Sequence, residues 1–142
     1  MAISDGVLRT LLGSCLGLAL YDRKHKVAGL AHIVLPASGG PTVLPGKFVD
    51  TAIPLLVRDM EEHAGSALNP TARIAGGANM FSSSAERTIG LRNIEASERL
   101  LAELRIPIVA RHCGGRQGRR VSLDTQTGRV VVEIVGCDPI EL

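Results

Sequence analysis

The order of hydrophobic patterns along the chain predicts an α+β domain in which a mixed sheet packs with two helices. Three observations predict it. Short apolar runs flanked by turn-forming residues recur near both ends, as β-hairpins do. Two segments in the middle carry apolar residues at three- and four-residue steps, as amphipathic helices do. One apolar run lies between those segments and another follows the second. The resulting order is β, β-hairpin, α, β, α, β, β-hairpin, a layered arrangement of helices on a sheet.

Composition narrows the possibilities. The 142 residues show no repeat and no linker, so residues 1–142 read as a single domain long enough to bury a core. Hydrophobic residues make up 45% but aromatic ones only 2%, so the core must be aliphatic and alanine-rich. That scarcity removes the stacking platforms that single-stranded nucleic acid needs. A formal net charge of +2 implies no strong overall field. Three cysteines, an odd number without paired spacing, fit a reducing compartment better than a disulfide framework. Leu12-Gly13-Ser14-Cys15 imitates a lipoprotein processing site, yet no basic region precedes it and Arg9 interrupts the apolar stretch. No run approaches the ~18–20 apolar residues of a membrane span. The expectation is a cytoplasmic protein with no direct membrane insertion and no nucleic acid partner.

Taken in order, residues 1–6 read as a loose end and Val7 to Leu12 as a short strand entering a Gly13-Ser14 turn. The apolar runs 15–21 and 27–35 flank the charged stretch Asp22-Arg-Lys-His-Lys26 and predict a hairpin. A turn centred on Arg23-Lys24 sets Asp22 opposite His25 and Cys15 opposite His32, with Gly17 leaving room beside the thiol. Residues 36–46 form a Pro/Gly-rich loop next to His32, either one wall of a substrate site or a plain connector. Phe48 to His63 has helical periodicity, and Pro54 within it predicts a kink or a start near Ile53. Gly65 closes that helix. Residues 73–81 read as a buried strand running into a glycine turn, where Gly76-Gly77 either cradles an anion or permits close backbone approach. Ser84 or Thr88 caps a second helix reaching Glu103-Leu104. Asn93 lies in its apolar stripe, and a buried amide there needs partners, a neighbouring loop being one candidate. Pro107 makes 106–111 a short or edge strand. Residues 119–124 and 129–135 form a second hairpin, and 136–142 a tail.

Two groups of residues suggest chemistry. Cys15 and His32 can form a thiol–imidazole couple across the first hairpin, with the Gly13 and Ser14 backbone N–H groups at an oxyanion. The opposing reading is a buried thiol and a satisfied core histidine. His112-Cys113 is a second pair, but neighbours on a strand point to opposite faces. Cys15, His32, His112 and Cys113 lack the close ligand pairs of zinc motifs, so neither metal nor cofactor is expected. Arg111, Arg116, Arg119, Arg120 and Arg129 make the C-terminal third basic, either a solvated face or a docking patch for an acidic partner.

Motifs spread over nearly the whole chain resemble the chemoreceptor glutamine deamidase family, CheD. They are Leu12-Gly13-Ser14-Cys15 with Tyr21-Asp22, Gly29 to His32, Leu35-Pro36, Pro45-Gly46-Lys47 with Asp50-Thr51-Ala52, Ile74 to Phe81, Ile89-Gly90 with Arg92-Asn93, and Gly114-Gly115 before Gly118-Arg119. The resemblance implies an α/β/β sandwich, similar to the catalytic domain of cytotoxic necrotizing factor toxins. It implies a cysteine hydrolase: Cys15 attacks glutamine side chains of methyl-accepting chemotaxis receptors, and His32 acts as base and then as acid. It also implies, in some members, a CheC-type CheY-phosphate phosphatase as partner. Gly76, Gly77 and Asn79 are further expected at the substrate. A non-catalytic adaptor using the same surface is the alternative. The family usually has a threonine six residues before the cysteine. Arg9 occupies that position here, and Thr10, one residue later, is carried over as the third site residue. On an uninterrupted strand that offset turns the side chain to the other face.

Overall fold

The structure, a computed structural model, describes residues 3, 6–79 and 84–142, and for residues 84–88 the backbone alone. Its strands fall into two kinds. In β1 (Val7–Leu12), β6 (Arg119–Asp124) and β7 (Val130–Glu133), buried residues alternate with more exposed ones. β2 (Leu16–Asp22) and β3 (Val27–Ile33) are buried almost throughout. Alternation marks a sheet with one face in solvent, and continuous burial marks strands covered on both faces.

The sheets follow that division. β1, β6, β7 and the short β8 (Ile140–Glu141) form an antiparallel sheet in the order β1-β6-β7-β8. β3, β2, β4 (Thr71–Gly76) and β5 (Ile108–Cys113) form a mixed sheet in the order β3-β2-β4-β5, with β4 and β5 parallel. α1 (Val49–Ala64) precedes β4, and α2 (Ser84–Glu103) is the crossover between β4 and β5.

Two cores join three layers. Leu16, Leu18 and Leu20 of β2, with Ala31 and Ile33 of β3 and Ile74 of β4, pack against Ile53, Leu56 and Met60 of α1 and Leu101 of α2. On the opposite face, Ala19, Ala28, Leu30 and Ala75 meet Leu12, Val121, Leu123, Val130 and Val132 of the antiparallel sheet. The helices therefore cover one face of the mixed sheet and the second sheet covers the other.

Several expectations change. Element order alone suggested one mixed sheet, and the strands divide into two. The first hairpin closes at Asp22↔Val27, which places Gly17, not Cys15, opposite His32. The cause is Asp22, whose buried carboxylate accepts the backbone N–H groups of His25 (2.8 Å) and Asn69 (2.7 Å). That cap gives the turn four residues instead of two. The shift is two residues, so face parity survives. The space over Gly17 is filled by the Leu12 side chain. α1 begins at Val49 and holds Pro54 within it on an exposed face. It ends at Gly65, in left-handed conformation, whose N–H reaches the Glu61 carbonyl at 2.9 Å. β5 is an edge strand, as Pro107 requires. The tail is ordered by β8 and by Arg73, whose Nε donates to the Leu142 carbonyl at 3.1 Å. The Ser84 and Thr88 caps, and most of residues 1–6, lie outside what the structure describes. Among the described residues, no helix is long and apolar enough to cross a membrane.

Candidate active site

Strand parity brings the site together. Ala28 and Leu30 of β3 face the layer between the sheets, and His32 continues their alternation at its rim. On β1, Leu8 and Leu12 face the same layer, whereas Val7, Arg9 and Leu11 are exposed. Thr10 shares the inward parity, and its Oγ1 lies 2.8 Å from His32 Nδ1. The one-residue offset between Arg9 and Thr10 therefore does not turn the hydroxyl away. Parity is carried only along a continuous strand. Here the chain leaves the antiparallel sheet at Leu12 and enters the mixed sheet at Leu16, so the turn resets the phase.

Cys15 sits in that turn, half-buried against the core between the sheets. Two residues on, Gly17 pairs with His32, so Cys15 stands just beyond the strand end that carries the imidazole. The turn is gripped from below. Gly77 N–H donates to the Cys15 carbonyl at 2.9 Å, and Ala78 N–H to the Gly13 carbonyl at 3.0 Å. Gly76 has φ +109°, and a Cβ there would collide with the Cys15 carbonyl oxygen. Gly76 and Gly77 permit close backbone approach, the second reading of this glycine turn, and the Gly77 N–H is engaged by the Cys15 carbonyl. Asn79 donates its N–H to Gly115 O at 2.8 Å, while its buried Oδ1 finds no partner among the described residues.

Burial pushes the His32 pKa below the ordinary histidine value by disfavouring the imidazolium. A cleft of about 490 Å³ opens on His32 and is bordered by residues 43–47 of the Pro/Gly-rich loop. A second, of about 760 Å³, reaches Gly13 and is lined by Leu11, Arg116, Arg120, Val135 and Cys137 among others. Asn93 is fully buried and donates to the Val34 carbonyl at 2.9 Å, tying α2 to the chain just after His32.

The second thiol–imidazole pair is not a couple. Burial raises the Cys113 pKa despite nearby Arg119 and Arg111, and its Sγ donates to the Ile74 carbonyl at 3.8 Å. His112 Nδ1 instead lies 2.7 Å from Arg119 Nη1. Among the described residues no three His, Cys, Asp or Glu side chains cluster as metal ligands. The basic patch is smaller than its sequence suggests. Arg111 pairs with Glu98, Arg129 with Glu141, and Arg119 is buried. Arg116 and Arg120 are exposed and form no ion pair among the described residues. The inward turn of Arg119 is legible in its phase: it alternates with Val121 and Leu123, which face the core.

The chain is similar to known proteins over most of its length. A family model described as CheD chemotactic sensory transduction matches residues 34–134. A probable chemoreceptor glutamine deamidase CheD of Clostridium botulinum (strain Alaska E43) is 48% identical, over 98% of this chain and 90% of its own length. A probable chemoreceptor glutamine deamidase CheD of Clostridium tetani is 44% identical, over 93% of this chain and 83% of its own. The chemoreceptor glutamine deamidase CheD of Thermotoga maritima is 41% identical, over 94% and 85% respectively.

Proposed function

The chain belongs to the CheD family, and on that premise we propose that it deamidates glutamine side chains of methyl-accepting chemotaxis receptors, with Cys15 as nucleophile. The observation that carries this reading is the Thr10–His32 hydrogen bond beside the Cys15 turn. With His32 Nδ1–H donating to Thr10 Oγ1, Nε2 keeps its lone pair for the thiol proton. Burial favours the neutral imidazole that such a base must be.

The thiolate adds to the carboxamide carbon, and the oxyanion forms within reach of the Gly13 and Ser14 N–H groups. His32 returns the proton to the departing nitrogen, and ammonia leaves as the thioester forms. Water then adds to the thioester carbon, again losing a proton to Nε2. Collapse restores the thiol and leaves glutamate. Every step uses atoms of this chain, substrate and water, so the reaction as written requires no cofactor. The α/β/β layering supports a likeness in fold to cytotoxic necrotizing factor toxins. The family supports action in the cytoplasm and a CheC-type phosphatase as a second partner.

The test is mass spectrometry of a receptor cytoplasmic fragment incubated with wild-type protein and with Cys15→Ala. The expected result is a one-dalton gain at defined glutamines, absent in the variant. Conversion that survives Cys15→Ala would refute the nucleophile. Binding of the receptor fragment without conversion would replace the enzyme by an adaptor.

A further inference from the structure

We propose that Arg119 is a positioning residue for Cys15, acting through two glycine loops. The inference rests on reading Cys15 as the nucleophile. Arg119 is 5% exposed, and no carboxylate faces its guanidinium among the described residues. Burying a charge without an ion pair is costly unless hydrogen bonds replace the lost water. Here Nη1 and Nη2 find theirs mostly on backbone, while the buried Nε has no partner among the described residues. Nη1 donates to the His112 carbonyl (2.6 Å) and to His112 Nδ1 (2.7 Å), and Nη2 donates to the carbonyls of Gly114 and Gln117 (3.3 Å for Gln117). A guanidinium only donates, so Nδ1 is the accepting nitrogen of His112. One planar fork thus holds the 112–117 loop, in which Gly114 and Gly115 both adopt positive φ.

That loop in turn holds the turn beneath the nucleophile. Gly114 N–H donates to Gly76 O at 2.9 Å, and Gly115 O accepts from Asn79 N–H at 2.8 Å. The 76–79 segment then grips Gly13 and Cys15 through the Ala78 and Gly77 amides. The circuit closes on itself, because Arg119 pairs with Leu12 in the β1–β6 ladder, immediately before Gly13. The Cys15 turn is therefore fixed on one side by strand pairing to Arg119 and on the other by loops that the Arg119 side chain orders. A lysine offers one point charge and cannot reproduce the fork.

The experiment compares full-length Arg119→Met, Arg119→Lys and Leu123→Ala. Leu123, on the same strand, is fully buried in the core between the sheets and serves as the control for lost stability. Three quantities are read: kcat and KM on the receptor fragment, site-resolved alkylation of Cys15 by iodoacetamide, and amide exchange at Gly77 and Ala78. Arg119→Met is expected to lower kcat about 10- to 100-fold, the scale of an ångström-level misplacement, with KM nearly unchanged. Exchange at Gly77 and Ala78 should accelerate, and Arg119→Lys should recover part of the rate. Leu123→Ala, at comparable loss of Tm, should keep kcat near wild type. Unchanged exchange at Gly77 and Ala78, or a kcat that simply tracks Tm across the variants, overturns the proposal. If Arg119→Met does not fold, Arg119→Lys carries the same comparison. If wild-type protein converts no glutamine, the proposed function fails, while the alkylation and exchange arms still decide whether Arg119 positions Cys15.

Discussion

At the residue scale, one hydroxyl decides how His32 is presented. Thr10→Val keeps the shape at that position and removes the partner of Nδ1. Loss of a hydrogen bond to a group that becomes charged costs about 1.5–3 kcal/mol, or about 10- to 100-fold in kcat. Arg9→Ala, on the exposed face, should leave kcat within about twofold; steady-state kinetics of both variants test the pair. Titration of His32 adds a second prediction. Because burial lowers its pKa, the acid limb of kcat/KM should fall below the ordinary histidine value of about 6.5. The same shift affects stability. Above about 6.5 the imidazole is neutral in both states. Below it the unfolded chain takes up a proton that the folded chain resists, so stability declines with falling pH until the folded-state pKa is passed. A Tm–pH series should show that slope in wild type and a shallower one in His32→Gln.

At the element scale, the first hairpin depends on Asp22. Its burial opposes ionisation, but the N–H groups of His25 and Asn69 and the His25 ring outweigh that and hold its pKa below the usual carboxylate value. Its contribution is present above the carboxylate range and is lost as pH falls through the lowered folded-state pKa. Asp22→Ala leaves two backbone donors without their acceptor and should cost about 2–3 kcal/mol, read by urea titration at neutral pH. The two-residue discrepancy between the expected and observed register has its origin here. A two-residue turn at Arg23-Lys24 satisfies the hydrophobic pattern equally well, because a two-residue slip preserves face parity. The choice between them rests on the two donors that Asp22 accepts, one of them Asn69, far away in sequence. Pro54 shows the reverse. Its place on an exposed face lets α1 continue past it, which periodicity alone does not reveal.

At the scale of the whole molecule, the site lies at the rim of the layer between the sheets, where each sheet contributes what the other lacks. The antiparallel sheet brings Thr10 and the mixed sheet brings His32, with the Cys15 turn connecting them. Beside Gly13, Arg116 and Arg120 line the larger cleft. If they steer an acidic receptor surface, association should slow with added salt, since exposed charges are screened within about 8–10 Å at ordinary ionic strength. Arg116→Glu with Arg120→Glu should lower kon further and leave the alkylation rate of Cys15 unaltered. Stopped-flow binding at several salt concentrations tests this, and salt-independent association would remove the steering role.

The sequence alone determined the kinds of elements, most of their order along the chain, and the residue types able to do the chemistry. Local periodicity, glycine stops and turn chemistry act over a few neighbours, and those neighbours are adjacent in sequence. Cys15 and His32 stood out because a hairpin keeps nearby residues together, and the Leu12-Gly13-Ser14-Cys15 series lies within one turn. Only the tertiary structure decided that the strands split into two sheets, that the phase resets between Thr10 and Cys15, and that residues 136–142 include a strand. The phase of Arg119 with Val121 and Leu123 marks it as inward, but only the tertiary structure showed its guanidinium holding the 112–117 loop next to the Cys15 turn. Each of those outcomes depends on pairing across long sequence separations, where a change of sheet breaks the period-two rule and a single buried donor set chooses among registers that the hydrophobic pattern leaves equal.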